Sequence, residues 1–309
     1  MLSFAAVNLL LTKKSVAVGQ LVPRPNKIWG DRMSKYWVAP LIVALTPFAA
    51  HAAEVTPGNL QGWKSANLAG GGTAVINDTY TPPGAGQNGS LQLKTPANSG
   101  KADFAYSLAG KNVTLADIAN GAISFDYYRS STSTVAGHFL PALRFSFTNA
   151  EGKSGLLIWE GVYNSVGTVT TDSWQTATLT GDYFYQRTAN YIGSFPTGGT
   201  TDAQVYDKSL ASYLDGSVYT GSTGRKTYAL GAGTVINGLE IGIGSGWGGA
   251  FDGAVDNVSI DLGTKGQISA NFQVKAAAAV PEPATWAMMV LGFGVMGIAL
   301  RRKTALRFV

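Results

Sequence analysis

Through the middle of this chain apolar and polar positions alternate with a period of two. Ile123, Phe125 and Tyr127 are interleaved with Ser124, Asp126 and Tyr128, and Leu143, Phe145 and Phe147 with Arg144, Ser146 and Thr148. Successive side chains of a strand point to opposite faces, so each run predicts a half-buried strand. The same reading gives strands at 90–94, 102–108, 155–163, 174–179, 183–187, 239–244 and 254–261. Between them lie stretches rich in Gly, Asn, Thr, Ser and Pro, notably 81–86 and 193–201, whose residue types favour turns. Two short helices are predicted, at 114–120 and at 207–214, the second with Asp207 as N-cap and Gly216 as terminator. Many short strands with few helices predict an all-β fold, an antiparallel jelly-roll β-sandwich.

Two apolar runs are too long and too uniform for this pattern, and each sits beside a chain end. At 38–48 the run follows the short basic segment Met33-Ser34-Lys35 and precedes Ala50-His51-Ala52, a small-x-small box, which reads as a signal peptide cut after Ala52. Residues 1–32 do not fit such a leader. They imply either translation from Met33 or an extended signal peptide. At 284–300 the run holds 17 uncharged residues, at the short limit for a helix crossing a hydrocarbon core of roughly 30 Å. Arg301, Arg302 and Lys303 follow as a cytoplasmic stop. Pro281-Glu282-Pro283 precedes it, and both prolines keep the chain extended there. The expected organisation is therefore a leader at 33–52, one sandwich domain at 53–280 and a terminal sorting segment at 281–309.

Pro281, Glu282 and Pro283, then Trp286-Ala287, a glycine-bearing span and the Arg301-Arg302 end occur together and in order. This arrangement resembles the PEP-CTERM sorting signal of Gram-negative bacteria, in its Pro-Glu-Pro-x-x-Trp-Ala variant. The resemblance implies that an exosortase reads the tripeptide while the chain is held in the inner membrane, and that the protein then passes to the cell surface or beyond. Those residues are on this reading a substrate for another enzyme.

Removing both ends changes the charge. The whole chain carries 23 Lys and Arg against 18 Asp and Glu, but residues 54–280 carry 13 against 16. No basic patch beyond Arg225-Lys226 is left to neutralise phosphates, so a nucleic-acid partner is not expected. The chain has no cysteine, which excludes disulfides, thiolate nucleophiles and Cys-based metal sites. His138 is the one imidazole outside the leader, and no G-x-S-x-G elbow accompanies it. Neither the spacing of Glu151 and Glu160 nor any other acidic run spells a glycosidase signature, so the protein is expected not to be an enzyme. Gly292-x-Gly294-x-x-Gly297 lacks a preceding strand and is read as helix packing; the alternate glycines from Gly242 to Gly248 are read as a turn.

The segment 239–260, with Asp256-Asn257-Val258 near its end, and the opening Leu60-Gln61-Gly62-Trp63 are similar to the closing hairpin and first strand of galactose-binding-like and laminin-G-like jelly rolls. This resemblance implies a carbohydrate-binding module and structural calcium. Asp252 and Asp256 are the expected calcium ligands or else solvated turn acids. If Phe125, Phe145 and Phe147 face the core, then Asp126, Tyr128, Arg144 and Ser146 face outward. With Trp159 and Trp247 they form the expected glycan surface, where Trp247 is either a stacking platform or a plug at the end of the sandwich. The sequence thus predicts an exported, non-enzymatic glycan-binding protein, with polysaccharide as partner. A structural or adhesive matrix protein is the alternative, and a glycan-cleaving enzyme a third class.

Overall fold

The computed structural model describes residues 52–97, 100–187, 203, 205–222, 224–276 and 288–297. Thirteen strands are seen: β1 (Glu54–Val55), β2 (Trp63–Ala69), β3 (Thr73–Asn77), β4 (Ser90–Thr95), β5 (Lys101–Ser107), β6 (Ile123–Arg129), β7 (Ala142–Thr148), β8 (Ser154–Trp159), β9 (Trp174–Thr178), β10 (Tyr185–Arg187), β11 (Val235–Gly244), β12 (Phe251–Asp261) and β13 (Gln267–Phe272). One short helix, α1 (Leu115–Ala119), lies between β5 and β6. Its start is fixed by a capping box in which the Thr114 N–H donates to Asp117 Oδ2 at 2.7 Å.

The strands form two sheets. In the first, β12 is flanked on one edge by β6 and then β9, and on the other by β4 along its first half and β13 along its second; β3 adds beyond β4, and β1 beyond β13. The second runs β10-β8-β7-β11-β5-β2. Every pairing is antiparallel except β1 with β13. The four-strand centres, β4-β12-β6-β9 and β5-β11-β7-β8, interleave along the chain as two Greek keys do, so the domain is a jelly roll. Phe125 and Val255 from the first sheet and Leu143, Phe145, Phe147, Leu239 and Ile241 from the second fill the space between, all buried.

Beyond β13 the chain is tied down for three more residues. Gln273 Oε1 accepts from the Asn88 backbone at 2.6 Å, and Asn88 bonds both the N–H and the carbonyl of Lys275, at 3.0 and 2.9 Å. At the other end, the Ala53 N–H donates to Ser269 Oγ at 3.1 Å, and Val55 is fully buried.

The expected helix at 207–214 is only a 3-10 turn, Leu210–Tyr213, capped by Ser209 and not by Asp207, whose carboxylate pairs with Lys208. Gly242 and Gly244 belong to β11 and not to a turn. Residues 288–297 are helical and exposed, and among the described residues no helix is long and apolar enough to cross a membrane. The leader, most of the sorting motif (Pro281, Glu282, Pro283, Trp286, Ala287) and the basic end (Arg301, Arg302) lie outside the described residues.

Candidate functional site

The residues expected to share one glycan surface divide between two faces and the core. Asp126 and Tyr128 do face outward, on the first sheet, as the alternation predicts. Tyr128 stacks on Tyr80 with centroids 4.5 Å apart, meets Trp174 at 5.9 Å, and donates its hydroxyl to Asp172. Asp126 accepts from Thr176 and Asn257. Arg144 lies on β7 in the second sheet, so its side of that sheet is turned to the opposite side of the molecule from Asp126. Trp159 is a correction: at 2 % exposure it is core, edge-on to Phe125, with Nε1 donating to Asp182 at 2.8 Å. Its register partner across β7 is Leu143, an inward residue, and this settles its side. Trp247 is likewise the plug and not a platform, 8 % exposed, stacked on Phe139 at 4.7 Å and edge-on to Phe251.

The two aspartates expected to hold calcium do not converge. They sit four residues apart on β12, about 13 Å at the usual strand rise. Asp252 is paired with Lys94 at 2.8 Å and accepts from Gln92, whereas the Asp256 carboxylate accepts from the Phe272 N–H at 2.7 Å. Among the described residues no group of three or more His, Asp or Glu side chains is placed to hold a metal ion.

The densest polar chemistry is on the outer side of the second sheet, around Arg144. Arg144, Glu240 and Ala105 are register partners across β7, β11 and β5, and Asp103 lies one step along the same face. Arg144 Nη1 donates to Asp103 Oδ1 at 2.7 Å, and Lys101 pairs with Asp103 Oδ2 at 3.0 Å. Asn67 Nδ2 bridges Asp103 Oδ2 and Glu240 Oε1, at 2.8 and 3.0 Å. Asn67 reaches them because β2 is bulged between Ala66 and Ala69, with Asn67 at a φ of 50°. Gly242 makes room: a Cβ there would stand 1.9 Å from Asp103 Oδ1.

Beside this network opens a cleft of about 60 Å³, lined by Lys101, Arg144, Ile158, Glu160, Tyr185 and Arg187, with Gly244 and Ser245 at its edge. Tyr185 bonds Glu160 and stands edge-on to Tyr163 and Tyr206, whose own rings stack at 3.9 Å. Burial pushes the Glu160 carboxyl up and the Arg144 charge pulls it back. Glu240 is raised by burial and by the Asp103 charge. Lys101 is lowered to about 8 by burial and by Arg144. Burial works against the Arg144 charge as well, but Asp103 and Glu240 outweigh it and hold the guanidinium above its ordinary value. Of these residues the sequence places only Arg144 at the expected glycan surface, and Glu160 enters only beside Glu151 as a carboxylate pair without a glycosidase signature. The available signal was a charged residue inside an otherwise apolar strand, as with Asp103 in Lys101–Ser107 and Glu240 in Val235–Gly244.

Fold and site together define a jelly-roll sandwich bearing a charged, tyrosine-bordered cleft on the outside of one sheet. The chain also carries the PEP-CTERM protein-sorting motif, matched over residues 279–303. No curated protein matches it. Among solved structures, a family 11 carbohydrate-binding module from Clostridium thermocellum, in complex with a β-1,3-1,4-mixed-linked tetrasaccharide, is 14 % identical with a TM-score of 0.32, covering 66 % of this chain and 90 % of its own. A family 30 carbohydrate-binding module of a cellulosomal cellulase of the same organism is 16 % identical with a TM-score of 0.31, covering 61 % and 81 %. An arabinose-bound α-L-arabinofuranosidase is 14 % identical with a TM-score of 0.33, covering 69 % of this chain and 26 % of that one. Likeness this low transfers neither ligand nor activity to this chain.

Proposed function

We propose that this exported, exosortase-sorted protein binds polysaccharide without cleaving it, and that the sugar meets the outer side of the second sheet at the Arg144 cleft. The observation that carries this reading is the adjacency of aromatic and planar polar groups. Tyr163, 36 % exposed, and its stacked partner Tyr206 meet Tyr185, which lines the cleft together with Arg144 and Glu160. Sites of this kind combine ring surface for contact area with a few placed hydrogen-bonding groups for orientation. The first-sheet cluster of Tyr80, Tyr128 and Trp174 is the weaker candidate, because the Tyr128 and Asp126 polar atoms are already satisfied by Asp172, Thr176 and Asn257.

Affinity electrophoresis of residues 53–276 through gels containing envelope and matrix polysaccharides tests this. Retention on at least one polymer is expected, and Tyr163→Ala should weaken it about tenfold, or about 1.4 kcal/mol, while leaving the fold intact. No retention on any polymer would favour a structural or adhesive role. Release of reducing ends by the native protein, abolished in Glu160→Gln, would replace binding with catalysis.

A further inference from the structure

The cleft is too small for a sugar ring, and its lining is lopsided in charge. Pockets that enclose whole small molecules begin at roughly 300 Å³, whereas this one has about 60 Å³, room for one substituent of a ring that lies above it. Among the described residues three cationic side chains line it, Lys101, Arg144 and Arg187, against one carboxylate, Glu160, with Asp103 paired to Lys101 and Arg144 behind the lining. Glu240 belongs to the network behind and is not part of the lining; its Oε1 faces Asn67 and its Oε2 has no hydrogen-bond partner among the described residues. Asp103 takes only one edge of the Arg144 guanidinium, through Nη1. A guanidinium has five donors in a fixed planar fork, and a second carboxylate fits the edge left over.

Resting on the glycan-binding reading, we infer that the cleft anchors the carboxylate of an acidic sugar, a uronate of an anionic polysaccharide, against Arg144 with Lys101 and Arg187 beside it. Tyr163 and Tyr206 pack against Tyr185, which lines the cleft, and would offer ring surface to the neutral part of the residue. Among the described residues of the lining, Glu160, bonded to Tyr185, is the group that would oppose an anion. Burial raises its pKa and so weakens that opposition.

The test compares a polyuronate with the same polymer after its carboxylates have been reduced to hydroxymethyl groups, so that chain length and linkage stay constant. The native protein should bind the polyuronate at least about tenfold more tightly. That preference should vanish between about 50 and about 500 mM salt, as screening shortens the reach of the charges. Arg187→Gln changes an exposed residue of the edge strand β10; it should lose most of the preference with an unchanged melting temperature. Arg144→Gln should abolish the preference, read only if its circular dichroism is native. Equal binding of both polymers would overturn the carboxylate anchor and leave glycan binding standing. Failure to bind either polymer, or any other polysaccharide, would remove both readings.

Discussion

Asp256 shows how one side chain can carry both a structural bond and a liability. Its carboxylate accepts from the Phe272 N–H and so ties β12 to β13, yet the residue is fully buried and Oδ2 has no hydrogen-bond partner among the described residues. Burial pushes its pKa up to about 7, against the pull of the Phe272 and Asn257 N–H groups and with the help of the Asp126 charge. A carboxyl raised in the folded state favours folding at pH values below its unfolded pKa and loses that contribution as pH rises through the folded value. Stability should therefore fall between about pH 4 and about pH 7, by at most about 1.4 kcal/mol per pH unit from this group. Urea melts across that window should show the slope in the native protein and not in Asp256→Asn; parallel slopes in the two would refute the assignment. Gly242 makes a second residue-scale prediction. A methyl group there collides with Asp103 Oδ1, so Gly242→Ala should displace a buried, paired carboxylate and destabilise by about 3 kcal/mol in the same melts.

At the scale of elements, the alternation in β6 and β7 was plain in the sequence because each strand sets apolar side chains toward the core and polar ones on its other face, which in β7 is buried as well. Period two tells which side of its own sheet a residue takes. It does not tell which sheet. Consecutive strands β6 and β7 cross from one sheet to the other, so Asp126 and Arg144, each on the side of its sheet away from the core, end on opposite sides of the sandwich, with Arg144 buried. The register of Gly155–Trp159 was illegible for another reason: both faces of β8 are buried, and an unbroken apolar run has no period to read. The short edge strand β3 gave no periodic signal, and the bulged edge strand β2 showed only through the first-strand resemblance ending at Trp63, because an edge carries less of the apolar pattern. The polar network was legible only as isolated charges, since Lys101, Asp103, Arg144, Glu160 and Glu240 come from four separate stretches that pairing alone brings together. The division of faces gives a direct check. Tyr128→Ala removes the ring packed between Tyr80 and Trp174 and should cost about 1–3 kcal/mol of stability while leaving polysaccharide retention unchanged, and loss of retention in a folded Tyr128→Ala protein would move the site to the first sheet.

For the molecule as a whole, sandwich and sorting motif make separate demands on one chain. The motif at 279–303 lies after the last described strand, and its described residues, 288–297, take no part in the sheets. Its disruption should therefore alter destination without altering fold. Glu282→Ala is expected to accumulate as a membrane-associated precursor whose intact mass still includes residues 284–309, whereas the native protein recovered from the envelope or medium should begin near Ala53 and end near Pro281. A secreted form retaining the terminal segment would contradict this. The same preparation should bind polysaccharide as well as the processed protein does, because the described lining of the Arg144 cleft comes from β5, β7, β8, β10 and β11 and from Glu160 and Ser245 at their ends, all before the motif.

The bonds from Asn88 to Lys275 also fix a length. Among the described residues Lys275 is the last so held, and Pro281 is six peptide units further on. Fully extended, six residues span at most about 22 Å, roughly half the thickness of a bilayer with its headgroups. A folded sandwich can therefore never stand far from the point where its tripeptide is read. An enzyme cutting at the tripeptide would work with a folded domain at its entrance, tethered through the Lys275 bonds to the loop carrying Asn88.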